Sequence, residues 1–139
     1  MNANERRGIM LVFTLMAGCS STPSLNDRID TPLAAAGDAA RGREVFLARE
    51  GGHCVLCHAA PEVKIAGDVG PSLAGIGSRL SASQIRLRIV DITRVNPDAA
   101  MPVFHRTEGL TRVAARYAGK PALTGQEVED LVAWLGTLL

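Results

Sequence analysis

The segment Gly52-His53-Cys54-Val55-Leu56-Cys57-His58 holds two of the chain's three cysteines and two of its three histidines. Two cysteines at this spacing can close a disulfide, hold zinc, cycle as a redox dithiol or carry a haem. A structural zinc site needs four ligands, and no second C-x-x-C completes a shell with Cys54, Cys57 and His58. A thioredoxin-type dithiol follows a strand in a βαβ unit, and no strand pattern precedes this one. A Cys54–Cys57 disulfide would close too small a loop to contribute much. The C-x-x-C-H pattern is instead that of c-type haem attachment. Each thiol adds to one of the two haem vinyl groups to give a thioether. The porphyrin fixes the vinyl positions, so the sulfurs must lie about one helical turn apart, as two intervening residues allow. His58 then follows over the ring, within reach of the iron.

A second iron ligand must come from elsewhere in the chain. Met101 sits in Asn96-Pro97-Asp98-Ala99-Ala100-Met101-Pro102, a loop whose prolines restrict its conformations. Histidine–methionine ligation is a cytochrome c arrangement and raises the reduction potential. His105, four residues on, competes with Met101, while His53 adjoins Cys54 and is poorly placed to reach the other haem face.

These residues need elements to position them. Four helices are expected. The first spans residues 38 to about 49, with Asp38 as a possible cap and Val45 and Phe46 as its main apolar pair. The second spans 81–92. It starts on a capping box formed by Ser81 and Gln84, carries Ile85, Ile89 and Ile92 at helical spacing, and is stopped by Asn96-Pro97. A short third covers about 110–117. The fourth opens on a Thr124/Glu127 capping box and places Val128, Leu131, Val132, Leu135 and Leu138 on one stripe, which reads as core packing. The polar Glu129 and Asp130 fall outside that stripe. Long segments rich in Gly and Pro separate the helices, 51–80 and 95–109. Such loops are uncommon in a compact domain unless they wrap a large rigid object. A haem is one, and it supplies apolar bulk to a chain that is only 4% aromatic.

The 139 residues suffice for one domain, and 47% hydrophobic with 21% charged side chains is ordinary for a folded protein. Residues 1–18 read as an export signal: Arg6-Arg7, then an apolar run from Gly8 too short to span a bilayer. It ends in Met16-Ala17-Gly18-Cys19, which resembles a bacterial lipobox with Met16 in place of the usual Leu. That resemblance implies cleavage before Cys19, lipidation of its thiol and a periplasmic, membrane-anchored protein. Ser20 favours the outer membrane. Residues 19–37 read as a flexible tether and 38–139 as the haem domain. Loss of Glu5, Arg6 and Arg7 takes the 15 basic and 14 acidic side chains to 13 of each, a balance with nothing to recommend a nucleic-acid partner. The cysteines are then all assigned, two to haem and one to lipid.

Gly70-Pro71-Ser72-Leu73 resembles the Gly-Pro-x-Leu stretch of class I cytochromes c. The resemblance implies an all-α fold of few helices and long loops around one haem. It also implies that the Pro71 carbonyl accepts the other N–H of the His58 ring, and that Gly42, Phe46 and Trp134 form the contact between first and last helices. Further on, Asn96-Pro97-Asp98, Met101-Pro102, 109–114, 117–121 and 128–135 are similar to SoxX, the monohaem subunit of SoxAX cytochromes. That likeness covers residues 38–139 and implies a SoxA-like partner in a heterodimer. The complex joins thiosulfate oxidatively to a cysteine of the SoxYZ carrier, with the sulfur chemistry on SoxA and electrons passing through SoxX to a downstream acceptor. The chain itself is then expected to carry electrons, with no catalytic residue of its own. A cytochrome c shuttling alone between other partners is the competing expectation.

Overall fold

The computed structural model describes residues 27–139. Helix α1 is Ala39–Leu47, α2 Ile76–Arg79, α3 Ala82–Asp91 and α4 Gly125–Gly136. Among the described residues there is no β-strand. No helix there is long and apolar enough to cross a membrane.

Local chemistry sets the helix starts. The Asp38 side chain accepts from the Arg41 N–H, capping α1. Both expected capping boxes form: Ser81 with Gln84 at α3, and Thr124 with Glu127 at α4. Helix α3 ends at Asp91, short of Asn96-Pro97, and gives way to a 3₁₀ turn, Ile92–Arg94. There the Asp91 side chain accepts from the Thr93 N–H, a local bond that competes with the helical ladder.

The core lies between α1, α3 and α4. Phe46, Ile85, Ile89, Leu131 and Leu135 are buried together with Val128, Val132, Trp134, Phe104 and Leu123. Where α1 crosses α4 the Phe46 and Trp134 rings meet at 4.8 Å. Gly42 makes that crossing possible, since a Cβ there would sit 1.9 Å from the Asp130 carbonyl oxygen. The expected contact of Gly42, Phe46 and Trp134 is thus the joint between first and last helices.

The structure departs from expectation in three places. Only the 3₁₀ turn Ala115–Tyr117 forms in the expected third helix. Arg112 takes a left-handed backbone (φ 59°), and almost all of 111–120 is exposed, so no apolar face rewards a helix there. One short element without a sequence signature forms, α2, while the turn expected at the C-x-x-C-H segment takes the form of a 3₁₀ turn, Cys54–Leu56. Finally, Glu129 and Asp130 are buried, at 4% and 3% exposure. Helix α4 is covered on more than its apolar stripe. Arg86 of α3 bonds both carboxylate oxygens of Glu129 (2.7 and 2.8 Å), and Arg41 of α1 bonds both of Asp130 (2.8 and 2.9 Å).

The Arg86–Glu129 pair also draws in the segment before α1. Arg86 donates to the Ile29 carbonyl at 2.7 Å, and the Leu33 N–H donates to Glu129 at 3.0 Å. Leu33 packs on the core. Within the described residues, then, the second half of the expected 19–37 tether lies against α3 and α4. Buried charges need every bond they can form, and the backbone at Ile29 and Leu33 supplies these.

Candidate functional site

Residues 53–58 close one helical turn. The N–H groups of Cys57 and His58 both donate to the Cys54 carbonyl, at 3.1 and 3.0 Å. His53 enters the turn in a left-handed conformation (φ 51°). The loop that follows is tied back onto this turn: Gly67 N–H to the Val55 carbonyl, Gly70 N–H to that of Cys57, Leu73 N–H to that of Ala59, at 2.8–2.9 Å.

His58 Nδ1 lies 2.8 Å from the Pro71 carbonyl oxygen, which only an N–H on Nδ1 satisfies. That bond fixes the tautomer and leaves Nε2 as the nitrogen with a free lone pair. Gly70 abuts the ring so closely that a Cβ would stand 2.4 Å from His58 Cε1.

This turn forms part of the wall of a cavity of about 750 Å³, within the range of small-molecule and cofactor sites, roughly 300–1,000 Å³. Phe46 from α1, Ile85 and Ile89 from α3, and Leu131 and Leu135 from α4 make its apolar floor. Cys54, Cys57, His58 and Pro71 line it, as does Met101 with Ala99, Ala100 and Pro102. The Met101 loop is held by the Phe104 N–H, which meets the Ile89 carbonyl at 3.4 Å, and by the Leu123 N–H donating to the Phe104 carbonyl at 2.9 Å. His105 is not among the lining residues. Its Nδ1 is engaged with the Leu123 carbonyl at 2.9 Å. His53 does line the cavity. No carboxylate does. Cys19 lies outside the described residues.

Neither Cys54 nor Cys57 is in a disulfide. Burial pushes the Cys54 thiol up to about 11, which keeps it protonated at neutral pH. No group of three or more His, Cys, Asp or Glu side chains among the described residues is arranged to hold a metal ion. Two free thiols, an imidazole with one nitrogen committed, a thioether and an apolar cavity fit a covalent haem. They fit neither zinc nor dithiol chemistry.

Sequence reasoning missed the packing role of Gly70 and of Gly67, where a Cβ would lie 1.8 Å from the Leu56 carbonyl oxygen. Gly70 was marked by the Gly-Pro-x-Leu resemblance, and Gly67 only by being a glycine close after the C-x-x-C-H turn.

Comparison with known proteins agrees with the geometry. The cytochrome c family model matches residues 39–139. A "cytochrome c-553-like" protein of Synechocystis sp. is 34% identical over 131 residues, covering 94% of this chain and 98% of its own. The crystal structure of SoxXA from P. pantotrophus contains a chain of similar backbone, with TM-score 0.74 and 29% identity over 82% of this chain and 91% of that one. A looser likeness, TM-score 0.48 at 25% identity, is to the c-type cytochrome SorU of Sinorhizobium meliloti, covering 72% of this chain and 88% of that one. With a single C-x-x-C-H turn at the wall of its cavity and a SoxX-like backbone, the chain belongs to the cytochrome c family and is a monohaem electron-transfer protein with one covalent haem c.

Proposed function

We propose that this chain is the electron-accepting subunit of a SoxAX-type cytochrome, taking electrons released when thiosulfate is coupled to a carrier cysteine. The observation that carries this reading is the likeness to the SoxXA structure over most of both chains. When bound, the haem supplies one-electron chemistry. Cys54 and Cys57 hold it through thioethers. His58 ligates iron through Nε2, since Nδ1 is committed to Pro71. Met101, which lines the cavity, would provide the second ligand in preference to His105, which does not. With His58 and Met101 both holding the iron, no position on it would be left for a substrate. No carboxylate in the cavity wall serves as an acid or base. These features suit a chain that carries electrons and leaves sulfur chemistry to a SoxA-like partner.

The chain acts in the periplasm, anchored to a membrane, the outer one favoured, by a lipid on Cys19. Cys19→Ser should release it to the soluble fraction; unchanged membrane fractionation would remove this part of the reading. Affinity purification from the native host tests the partner, with a SoxA-like cytochrome expected at equal stoichiometry. In the reconstituted system, thiosulfate with SoxA and SoxYZ should reduce the haem of this chain. A monomer that no SoxA-like protein accompanies would favour the second reading, a cytochrome c shuttling alone. Full-length similarity to a cytochrome c-553-like protein supports that alternative.

A further inference from the structure

Beside the haem cavity lies a second cleft, of about 440 Å³. Four of the residues around it are Arg106, Arg112, Arg116 and Lys120, and none is an acid. Arg106 is already paired, its Nε 2.8 Å from an Asp91 oxygen. The other three take part in none of the ion pairs among the described residues; Arg116 instead lies over the Tyr117 ring, 4.9 Å from its centroid. Thr111 and Tyr117 add hydroxyl donors to the same wall. The cleft therefore offers hydrogen-bond donors and uncompensated positive charge, with no carboxylate to answer it. Such a setting suits an anion with several acceptor oxygens, because guanidinium groups bind oxyanions through parallel N–H donors. A concave cleft of this volume suits a small molecule better than a flat protein face.

Its position gives binding a consequence. Gly52, His53, Pro102 and Phe104 line both the cleft and the haem cavity. Two of them immediately precede Cys54, and Pro102 follows Met101. An anion in the cleft adds negative charge beside the haem, which favours the oxidised, more positive iron. Linkage is reciprocal, so the oxidised protein must bind the anion more tightly than the reduced.

We propose that the cleft bounded by Arg106, Arg112, Arg116 and Lys120 is a binding site for a small inorganic oxyanion, coupled to the oxidation state of the haem. This rests on the haem's place in the adjoining cavity and not on the thiosulfate assignment. The test uses the holoprotein, titrated with sulfate, phosphate and thiosulfate at constant ionic strength set by chloride. Calorimetry and spectroelectrochemistry read affinity and midpoint potential. Saturable binding is expected, with the midpoint potential falling as the site fills. Arg116→Gln and Lys120→Gln should each raise the dissociation constant by about fivefold. Arg112→Asn, chosen because Asn tolerates the left-handed backbone, should act likewise, and the triple variant should lose saturable binding while keeping its haem spectrum. Arg43→Gln, an exposed cation of α1 outside the cleft, should leave both readouts unchanged. The proposal is overturned if binding is not saturable, if the triple variant binds as the parent does, or if Arg43→Gln weakens binding equally. It is also overturned if only an acidic protein, and none of the three anions, engages these cations.

Discussion

Gly70→Ala tests the packing of His58 with a single added methyl group. The new Cβ would lie 2.4, 2.7 and 2.8 Å from three atoms of the His58 ring, where ordinary contact begins at 3.4 Å. The ring must therefore retreat by about 1 Å or the backbone at 70–71 must move. Either shift breaks the 2.8 Å bond between Nδ1 and the Pro71 carbonyl. Loss of that bond costs about 0.5–1.5 kcal/mol, and overpacking about 1–3 kcal/mol. A combined loss of about 2–4 kcal/mol corresponds to a fall in melting temperature on the order of 10 °C or more for a domain of this size. The assay is thermal unfolding of the holoprotein, followed together by far-UV circular dichroism and haem absorbance. Gly136→Ala is the control: nothing lies within 4 Å of a Cβ there, and it should melt with the parent or slightly above. If Gly70→Ala melted within about 2 °C of the parent with an unchanged haem spectrum, the close fit between Gly70 and His58 would be refuted.

Four further outcomes follow from the same geometry. Cys54→Ser with Cys57→Ser should abolish haem staining on a denaturing gel and leave most of the chain unfolded, because the loops lose what they pack on; a folded, colourless product would contradict this. Met101→Ala should keep the haem, lower the potential and open the iron to carbon monoxide, whereas His105→Ala should not; the reverse pattern would make His105 the ligand. Glu129→Ala leaves Arg86 buried without a carboxylate and should cost about 3–5 kcal/mol in denaturant unfolding; a cost below about 1 kcal/mol would show the pair to be dispensable. Arg41 holds Asp130 down at about 2 from an ordinary value of 3.8, through its hydrogen bonds to the carboxylate. A lowered folded value stabilises the protein above pH 4 and ceases to as pH falls towards 2. Arg41→Gln should therefore move acid unfolding to higher pH, as an acid titration of helicity would read.

Helix positions were largely legible because their signals are local. A capping box spans three residues, and the stripe Val128, Leu131, Val132, Leu135 needs only helical periodicity. The left-handed Arg112 and the short helix α2 were not legible, since neither follows from local preference. The burial of Glu129 and Asp130, which fall outside the apolar stripe, was not legible for the same reason. Periodicity marks the apolar face of α4 and cannot say that Arg86 and Arg41, 43 and 89 positions away, will bury its polar face as well.

By itself the sequence determined the cofactor, because thioether attachment needs two thiols and iron ligation an imidazole, and all three lie within five residues of the chain without folding. It also determined that Met101 and His105 were the ligands to compare. Tertiary structure alone decided which of them lines the cavity, that Pro71 holds the ring of His58, that residues 29–37 lie against the domain, and that four basic side chains gather beside the haem cavity. These depend on backbone segments distant in sequence meeting at fixed separations. That is a property of how α1, α3 and α4 pack, which no local pattern records.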